Sequence, residues 1–539
     1  MAVISNGGAY LADITGSDRS LPIAYIAGLG NQADVCIAEL LDVILDDERV
    51  SAVNLHFESI RDVTGLAQCA VKAHHKGVPI VALKAGKSTA GQRAARAHTA
   101  SLASTTAIVS ALFARLGFVE VESAGEALET LKMLTLSAAP KGPRMVLATS
   151  SGTYAVMAAD FAERNGLTVP PVSERTQAAL RPLIHEFLAA SNPLDIATAQ
   201  FWPDEQQQEI FATFVDDDYD VAVQTMSFPP QDSWQDESWY RSAKVFANCA
   251  KSAGLPAVFV SSTHEGLPRR AREMLIELGV APLQGFEHGM KAIAQALAWH
   301  RRRKALKAET MLLPQPPPAV LGDGSLLDEV ESKALLAGFG VSIPAGRRVR
   351  ARDPLPRDLP FPVVLKVCDA SILHKSDVGG VSLNLLNPEL LDFAREQMLV
   401  VLGRNGHEAR HFLVEESIRG GIAELMVGVT GVAGIGFSLT LAIGGSAVEL
   451  LNDSTHLLLP CGRDEIRQAL EGLRLFPTLR GIRGGSAADI DSALDAIEAI
   501  AALVQSRGDI IELEVNPLIL RAEDHGAVAA DAVIRIDPQ

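Results

Sequence analysis

Four prolines within five positions, Pro314, Pro316, Pro317 and Pro318, divide this chain. Proline fixes φ and removes a backbone donor, so such a run is stiff and extended and cannot continue a helix. Residues 304–324 read as a linker, and the patterns on its two sides differ. Before it, short runs of branched residues alternate with helical periodicity. Val3–Ser5, Ile23–Ala27, Ala52–Phe57 and Ile80–Leu83 read as strands, and Val35–Leu45 and Gly65–His75 as helices. A second set follows Pro140–Pro143, with strands Arg144–Thr149, Val221–Thr225 and Ala257–Ser261. Its helices are Tyr154–Asn165, Thr176–Leu183, Ser238–Ala253 and a long amphipathic one from Phe286 to Arg303. Alternation of this kind predicts parallel sheets with helices on their faces.

After the linker, helix Glu329–Gly338 leads to strands Val363–Val367, Gly380–Asn384, Phe412–Glu416, Glu424–Val429 and Phe437–Ile443, mostly without intervening helices. A late helix, Ile490–Gln505, precedes strands Ile510–Val515 and Val528–Ile536. This is an α+β pattern with antiparallel sheet. Leu425–Val448 carries no charge and is long enough to span a bilayer, but its six glycines cut it into pieces. It reads as two strands joined by a turn.

At 539 residues the chain has room for three or four domains. Its 48 basic against 65 acidic residues give −17, which argues against nucleic acid and anionic membrane as partners but not against nucleotides. Five cysteines lie far apart (Cys36, Cys69, Cys249, Cys368, Cys461), and the N-terminus lacks a basic, then apolar, leader. Both features predict a reduced, cytoplasmic protein.

Beyond the linker, Lys366 closes an apolar strand, and the run His374-Lys375-Ser376-Asp377-Val378-Gly379-Gly380-Val381 places cations, a hydroxyl and paired glycines before another. Gly379 and Gly380 lack a Cβ and so let backbone approach a phosphate. Glu514 and Asn516 close a later strand, with Asp531 on the next. Carboxylate and amide oxygens there suit Mg²⁺, a hard ion that shares its shell with nucleotide phosphates. Together, from Ser325 to Ile536, these features resemble the ATP-grasp fold. The resemblance implies that Lys366 holds nucleotide phosphates, that Glu415 and Glu416 sit at the adenine hinge, and that Glu424 lies near the ribose. Glu514, Asn516 and Asp531 match the metal-binding set.

The N-terminal part carries a second constellation. Leu83-Lys84-Ala85-Gly86-Lys87-Ser88 follows a strand and leads to Ala97-His98-Thr99-Ala100-Ser101. The spacing of a P-loop is absent. Glu58 ends one strand and His98 follows the next, so both belong to the carboxyl edge of one sheet, where open α/β sheets bind ligands. A carboxylate on one ring nitrogen makes the other a better nucleophile. Two glycine turns open helices, Ser5-Asn6-Gly7-Gly8 and Ser150-Ser151-Gly152-Thr153. Helix N-termini there would hold a phosphorylated imidazole with no permanent cation.

These motifs, with Gly30–Val35 and Phe57–Asp62, resemble the ADP-forming (NDP-forming) acyl-CoA synthetases of the succinyl-CoA synthetase superfamily. In that family the histidine matching His98 is phosphorylated, the glutamate matching Glu58 supports it, and His374 matches a second phosphate carrier. Ala97 and Ala100 stand where relatives have Ser and Gly. Ser191–Asp195 matches a recurring turn of structural use only. The resemblance implies an α/β chain: two flavodoxin-like (succinyl-CoA ligase-like) parallel-sheet domains, 1–138 and 139–303, then the ATP-grasp domain, 325–539. Family members usually begin with a CoA-binding domain, whereas Met1 here opens the domain after it. The expectation is a CoA-binding domain supplied by another polypeptide, omitted by this start site, or lost with the activity.

The implied reaction is carboxylic acid + CoA + ATP ⇌ acyl-CoA + ADP + phosphate through phosphohistidine, with Mg²⁺, in an oligomer. One competing reading is a non-catalytic nucleotide-binding scaffold partnering a CoA-binding or acyltransferase protein. Another is an ATP-grasp ligase joining an acid to an amine, which leaves His98 unexplained.

Overall fold

The computed structural model describes residues 1–88, 90–91, 106–197, 201–229, 236–313, 324–372, 375–432, 434–443, 453–481 and 484–537. It divides into two compact units, built mainly from residues 1–312 and 313–539. The proline run, His98, His374, Gly444 and Gly445 lie outside the described residues.

The first unit holds two parallel sheets. Strands β1 (Ala2–Ser5), β2 (Tyr25–Gly28), β3 (Val53–Phe57), β4 (Ile80–Lys84) and β5 (Val119–Val121) form one in the order 2-1-3-4-5. Strands β6 (Met145–Thr149), β7 (Leu194–Asp195), β8 (Val221–Thr225), β9 (Ala257–Ser261) and β10 (Ala281–Gln284) form the other in the order 7-6-8-9-10. Renumbered from its own first strand, the second order equals the first, and both are flavodoxin-like. β1, β3, β6, β8 and β9 are buried throughout. That burial explains their unbroken apolar runs, since sheets covered on both faces show no alternation.

Several expected boundaries shift or fill in. The sequence pattern does not reveal β7 or β10, nor helices Asp204–Phe214 and Arg269–Glu277. β7 has only two residues and follows the cis Asn192-Pro193 bond. β10 contains Pro282, which an edge strand tolerates and a central one does not.

The two sheets are tied by buried charge. Helix Ala124–Leu136 carries Glu129 and Lys132, both with side chains fully buried and 2.7 Å apart. Lys132 Nζ also donates to Pro282 O and to Gln284 Oε1, while Glu129 Oε2 accepts from Gln284 N–H and Oε1 pairs with Arg19. Burial lowers the Lys132 pKa to about 8 against the opposing pull of Glu129. Arg272, 3% exposed, donates to Asp18 and Ser20. Trp299, on helix Phe286–Ala305, packs with Met1, Ala52 and Val81 of the first sheet.

In the second unit, β11 (Ser325–Leu326), β12 (Gly346–Arg350), β13 (Val363–Val367), β14 (Val381–Leu385), β15 (His411–Glu416), β16 (Gly421–Val432), β17 (Gly436–Ile443), β18 (Ser454–Leu458), β19 (Ile510–Arg521), β20 (Ala527–Ala529) and β21 (Ala532–Ile536) form two antiparallel sheets. The smaller runs 12-15-13-14. The larger runs 11-21-19-16-17-18, with β20 beside β19. The uncharged stretch Leu425–Val448 contributes to the hairpin β16–β17, and among the described residues no helix is long and apolar enough to cross a membrane. Two expectations need correction. Helix Pro388–Arg404 intervenes between β14 and β15, and Val528–Ile536 is two strands, β20 and β21, rather than one.

Candidate functional site

The turn after β1 lies at the switch point of the first sheet, where β2 and β3 diverge on either side of it. Its backbone is held by side chains rather than by chance. Asn6, 6% exposed, donates to Gly30 O and accepts from Glu58 N–H, so one amide joins the turns that follow β1, β2 and β3. Gln32 does similar work, accepting from Ile37 N–H and donating to Ser59 O. The Gly30–Val35 and Phe57–Asp62 motifs are thus two halves of one scaffold.

Ser5 and His56 are register partners on β1 and β3. Ser5 Oγ accepts from Gly7 N–H, donates to Gly7 O and lies 2.9 Å from His56 Nδ1. His56 also stacks on Tyr10 at 4.5 Å. Burial, with Lys84 nearby, lowers the His56 pKa to about 4, so the ring is neutral at neutral pH.

A Cβ on Gly7 would come within 2.8 Å of Glu58 Oε1 and 3.4 Å of His56 Cε1. Gly8, opening helix Gly8–Gly16, meets nothing within 4 Å. The helix has no side-chain N-cap bond and no acid in its first turn, which leaves its N–H groups facing outward. The second sheet repeats the arrangement. Ser151 precedes helix Gly152–Arg164 without a side-chain cap bond, again at the switch point, and a Gly152 Cβ would lie 3.4 Å from Asp195 Oδ2. Each glycine turn therefore faces a carboxylate from the adjoining strand. Ser150 and Thr153 belong to that second turn.

Lys84 also stands at this edge: it ends β4, its register partner being Phe57, and its Nζ donates to Ala85 O. Burial lowers its pKa, partly offset by Glu58.

In the second unit the expected nucleotide residues meet a buried ion cluster. Lys366 Nζ donates to Glu329 Oε1 (2.7 Å), pairs with Glu415 Oε1 (2.6 Å) and donates to Ala530 O (2.6 Å). An ammonium has three protons, so all of them are taken. In this arrangement Lys366 has no donor left for a phosphate unless one of these partners is given up. Lys333 bridges Glu329 and Glu415, and Lys375 bridges Glu329 and Asp531. Three lysines thus balance three carboxylates. The three lysine side chains and the two glutamates are 8% exposed or less, and Asp531, at the rim, is 27%. Burial works against the Lys366 ammonium, but Glu329 and Glu415 outweigh it and raise its pKa.

Glu416 ends β15 with its N–H on Ala345 O. Glu424 stands exposed on β16, opposite Ile519, and outside this cluster among the described residues. Gly379 and Gly380 have a structural cause. A Cβ would meet Val401 Cγ1 at 2.7 Å in the first case and Val367 Cγ1 at 2.5 Å in the second, and Gly379 has φ +73°.

Glu514, Asn516 and Asp531 line one cavity of about 380 Å³ together with Lys375, Asp377 and Arg535. Asn516 Nδ2 donates to Glu514 Oε1, which leaves the amide oxygen available. Two carboxylates and an amide oxygen around an open cavity fit Mg²⁺, which takes few protein ligands and keeps water or phosphate. Among the described residues no group of three or more His, Cys, Asp or Glu is suited to a metal. Sequence reasoning missed Asn6, His56, Asp195, Glu329 and Lys333 as site residues. Asn6 and Asp195 stand within recognised motifs, whereas Glu329 and Lys333 carry no local signal.

Residues 1–134 match the model of the succinyl-CoA ligase-like flavodoxin domain, and residues 319–536 match that of an ATP-grasp domain. The chain is 25% identical over 555 residues to trans-feruloyl-CoA synthase FCS1 of an unknown prokaryotic organism, covering 100% of this chain and 76% of that protein. It is 25% identical over 556 residues to the ADP-forming acetate–CoA ligase of Methanocaldococcus jannaschii, covering 99% and 78%. It is 30% identical over 222 residues to subunit beta of ADP-forming acetate–CoA ligase II of Pyrococcus furiosus, covering 40% of this chain and 94% of that subunit.

Proposed function

The chain belongs to the ADP-forming acyl-CoA synthetase family, and from that premise we propose that it interconverts carboxylic acid, CoA and ATP with acyl-CoA, ADP and phosphate through a phosphohistidine. Such ligases use ATP, Mg²⁺ and CoA, and they occur both as single chains and as separate subunits. The observation that carries the reading is Gly7 against Glu58. A carboxylate beside an uncapped helix N-terminus can orient an imidazole while the N–H groups hold its phosphoryl group.

In this reading the terminal P–O bond of ATP breaks as an N–P bond forms on His374, and that N–P bond breaks in turn as the one on His98 forms. The acid's carboxylate then takes the phosphoryl group, and the thiolate of CoA displaces phosphate from the acyl phosphate. The Ser5–Gly8 and Ser150–Thr153 turns bind the phosphoryl oxygens, Glu58 holds the ring, and Lys84 offsets the charge of the acid. Glu514, Asn516 and Asp531 would hold Mg²⁺, which neutralises phosphate charge when bound. Lys366 reaches a phosphate only by giving up one of its three partners. We assign the enzyme to the cytoplasm, where its dispersed thiols stay reduced, and to an oligomer in which phosphoryl groups pass between parts.

The test is incubation with [γ-³²P]ATP and Mg²⁺. Acid-labile, base-stable label on the His98 peptide is expected in the wild type, and in His98→Ala any remaining label should sit on His374 and not pass to the acid. The competing reading is a non-catalytic nucleotide-binding scaffold. ATP binding without any histidine label would establish that one instead.

A further inference from the structure

Lys375 is the member of the ion cluster that reaches the cavity. Its Nζ lies 2.8 Å from Asp531 Oδ1 and 2.9 Å from Oδ2, and 2.6 Å from Glu329 Oε2. Both oxygens of Asp531 therefore face one cation, and that cation comes from the protein itself. Lys366 and Lys333 sit behind, on Glu329 and Glu415, and neither pairs with Asp531.

From this geometry we propose that Lys375 is a built-in competitor of the divalent cation. Metal binding at Asp531 proceeds by exchange, the ion displacing the Lys375 ammonium, which then turns to the cavity wall where phosphate oxygens arrive. The inference rests on the reading of Glu514, Asn516 and Asp531 as the metal set.

Charge decides why the exchange waits for nucleotide. The cluster is neutral as it stands, three lysines against Glu329, Glu415 and Asp531. Adding a divalent ion alone brings two positive charges against one further acid of the metal set, Glu514, and leaves the Lys375 ammonium with Glu329 as its one carboxylate, which is costly where water is scarce. A polyphosphate brought with the ion supplies acceptors for that ammonium and cancels the remaining charge. Lys375 thereby makes metal binding conditional on nucleotide, as a positioning residue rather than a metal ligand. Its backbone is suited to hold that post. Lys375 O accepts from Gly380 N–H at 2.6 Å, and a Gly380 Cβ would crowd that same carbonyl at 3.0 Å.

The probe is Mn²⁺, titrated by the electron paramagnetic resonance of the free ion, with and without ATP. Lys375→Met should bind Mn²⁺ alone about ten-fold more tightly than the wild type, a change of about 1.4 kcal/mol. Lys333→Met removes an equal charge away from Asp531 and should change it by less than about two-fold. Equal gains in both variants, or none in Lys375→Met, would overturn the exchange. Asp531→Asn tests the underlying reading separately: it must weaken binding of Mn²⁺ with ATP, and if it does not, the metal assignment itself is wrong. Should Lys375→Met fail to fold, amine acetylation of wild-type Lys375 followed by mass spectrometry decides the same question. Saturating Mg²⁺ should speed modification of Lys375 and leave Lys333 unchanged, and an unchanged Lys375 rate would overturn the proposal.

Discussion

Lys366 on β13 and Glu415 on the neighbouring β15 form a 2.6 Å ion pair whose side chains are 7% and 4% exposed. Removing one member of such a pair leaves an uncompensated buried charge, whereas removing both does not. Glu415→Leu should cost about 3–5 kcal/mol in urea unfolding followed by a probe in the second unit. Adding Lys366→Met should return at least about half of that loss. Additive losses would mean that the two residues do not act as a pair.

Gly7→Ala should separate positioning from stability. The new methyl group meets the flexible end of Glu58 at 2.8 Å, so the carboxylate moves rather than the backbone. Histidine phosphorylation should fall by about ten-fold or more, while stability changes by less than about 1 kcal/mol. Gly16→Ala, at the far end of the same helix with open space around it, is the control and should change neither. Matching rates in the two variants would dissociate Glu58 from the reaction.

The neutral His56 gives a pH signature. Its folded pKa is depressed to about 4 by burial and by Lys84, below the ordinary value of 6.5. The unfolded chain thus binds the extra proton first, and stability falls as pH drops from 6.5 towards 4. Above 6.5 the contribution is fully present. His56→Gln should flatten that part of the profile in thermal melts across pH 4–7, and an unchanged slope would show that other groups govern it.

Lys84→Gln removes the cation from the first sheet's edge. With the reaction run towards acyl-CoA, the KM for the carboxylic acid should rise about ten-fold with kcat reduced less, since the lost interaction is with a bound anion in ground and transition states alike. Lys84→Arg should keep most of the affinity. A fall in kcat at constant KM would place Lys84 elsewhere in the reaction.

How much of this was legible in the sequence depends on distance along the chain. β3 and β8 stood out because buried parallel strands are branched and unbroken, and Glu58 could be placed because it directly follows β3. Helix Pro388–Arg404 did not stand out, because Leu390, Phe393 and Val400 lie on its exposed side and blur the period. β7 is too short for any pattern. The ion cluster was the deeper omission. Glu329 opens a helix, where an acid is ordinarily a solvated partner of the helix dipole, and only tertiary contact with Lys366 and Lys375 buries it. His56 was likewise unreadable, since its depressed pKa comes from neighbours on β1 and β4.

The Glu129–Lys132 pair bears on how such chains can be rearranged. It hangs from a helix that precedes the second sheet but is anchored by Gln284 and Pro282 on that sheet's last strand. Severing the polypeptide near residue 140 and expressing the pieces apart would strand a lysine and a glutamate on a raw apolar face. Shuffling this segment among homologous ligases should therefore succeed only when donor and acceptor share the crossover through β10, so that both switch-point turns are inherited as a single block.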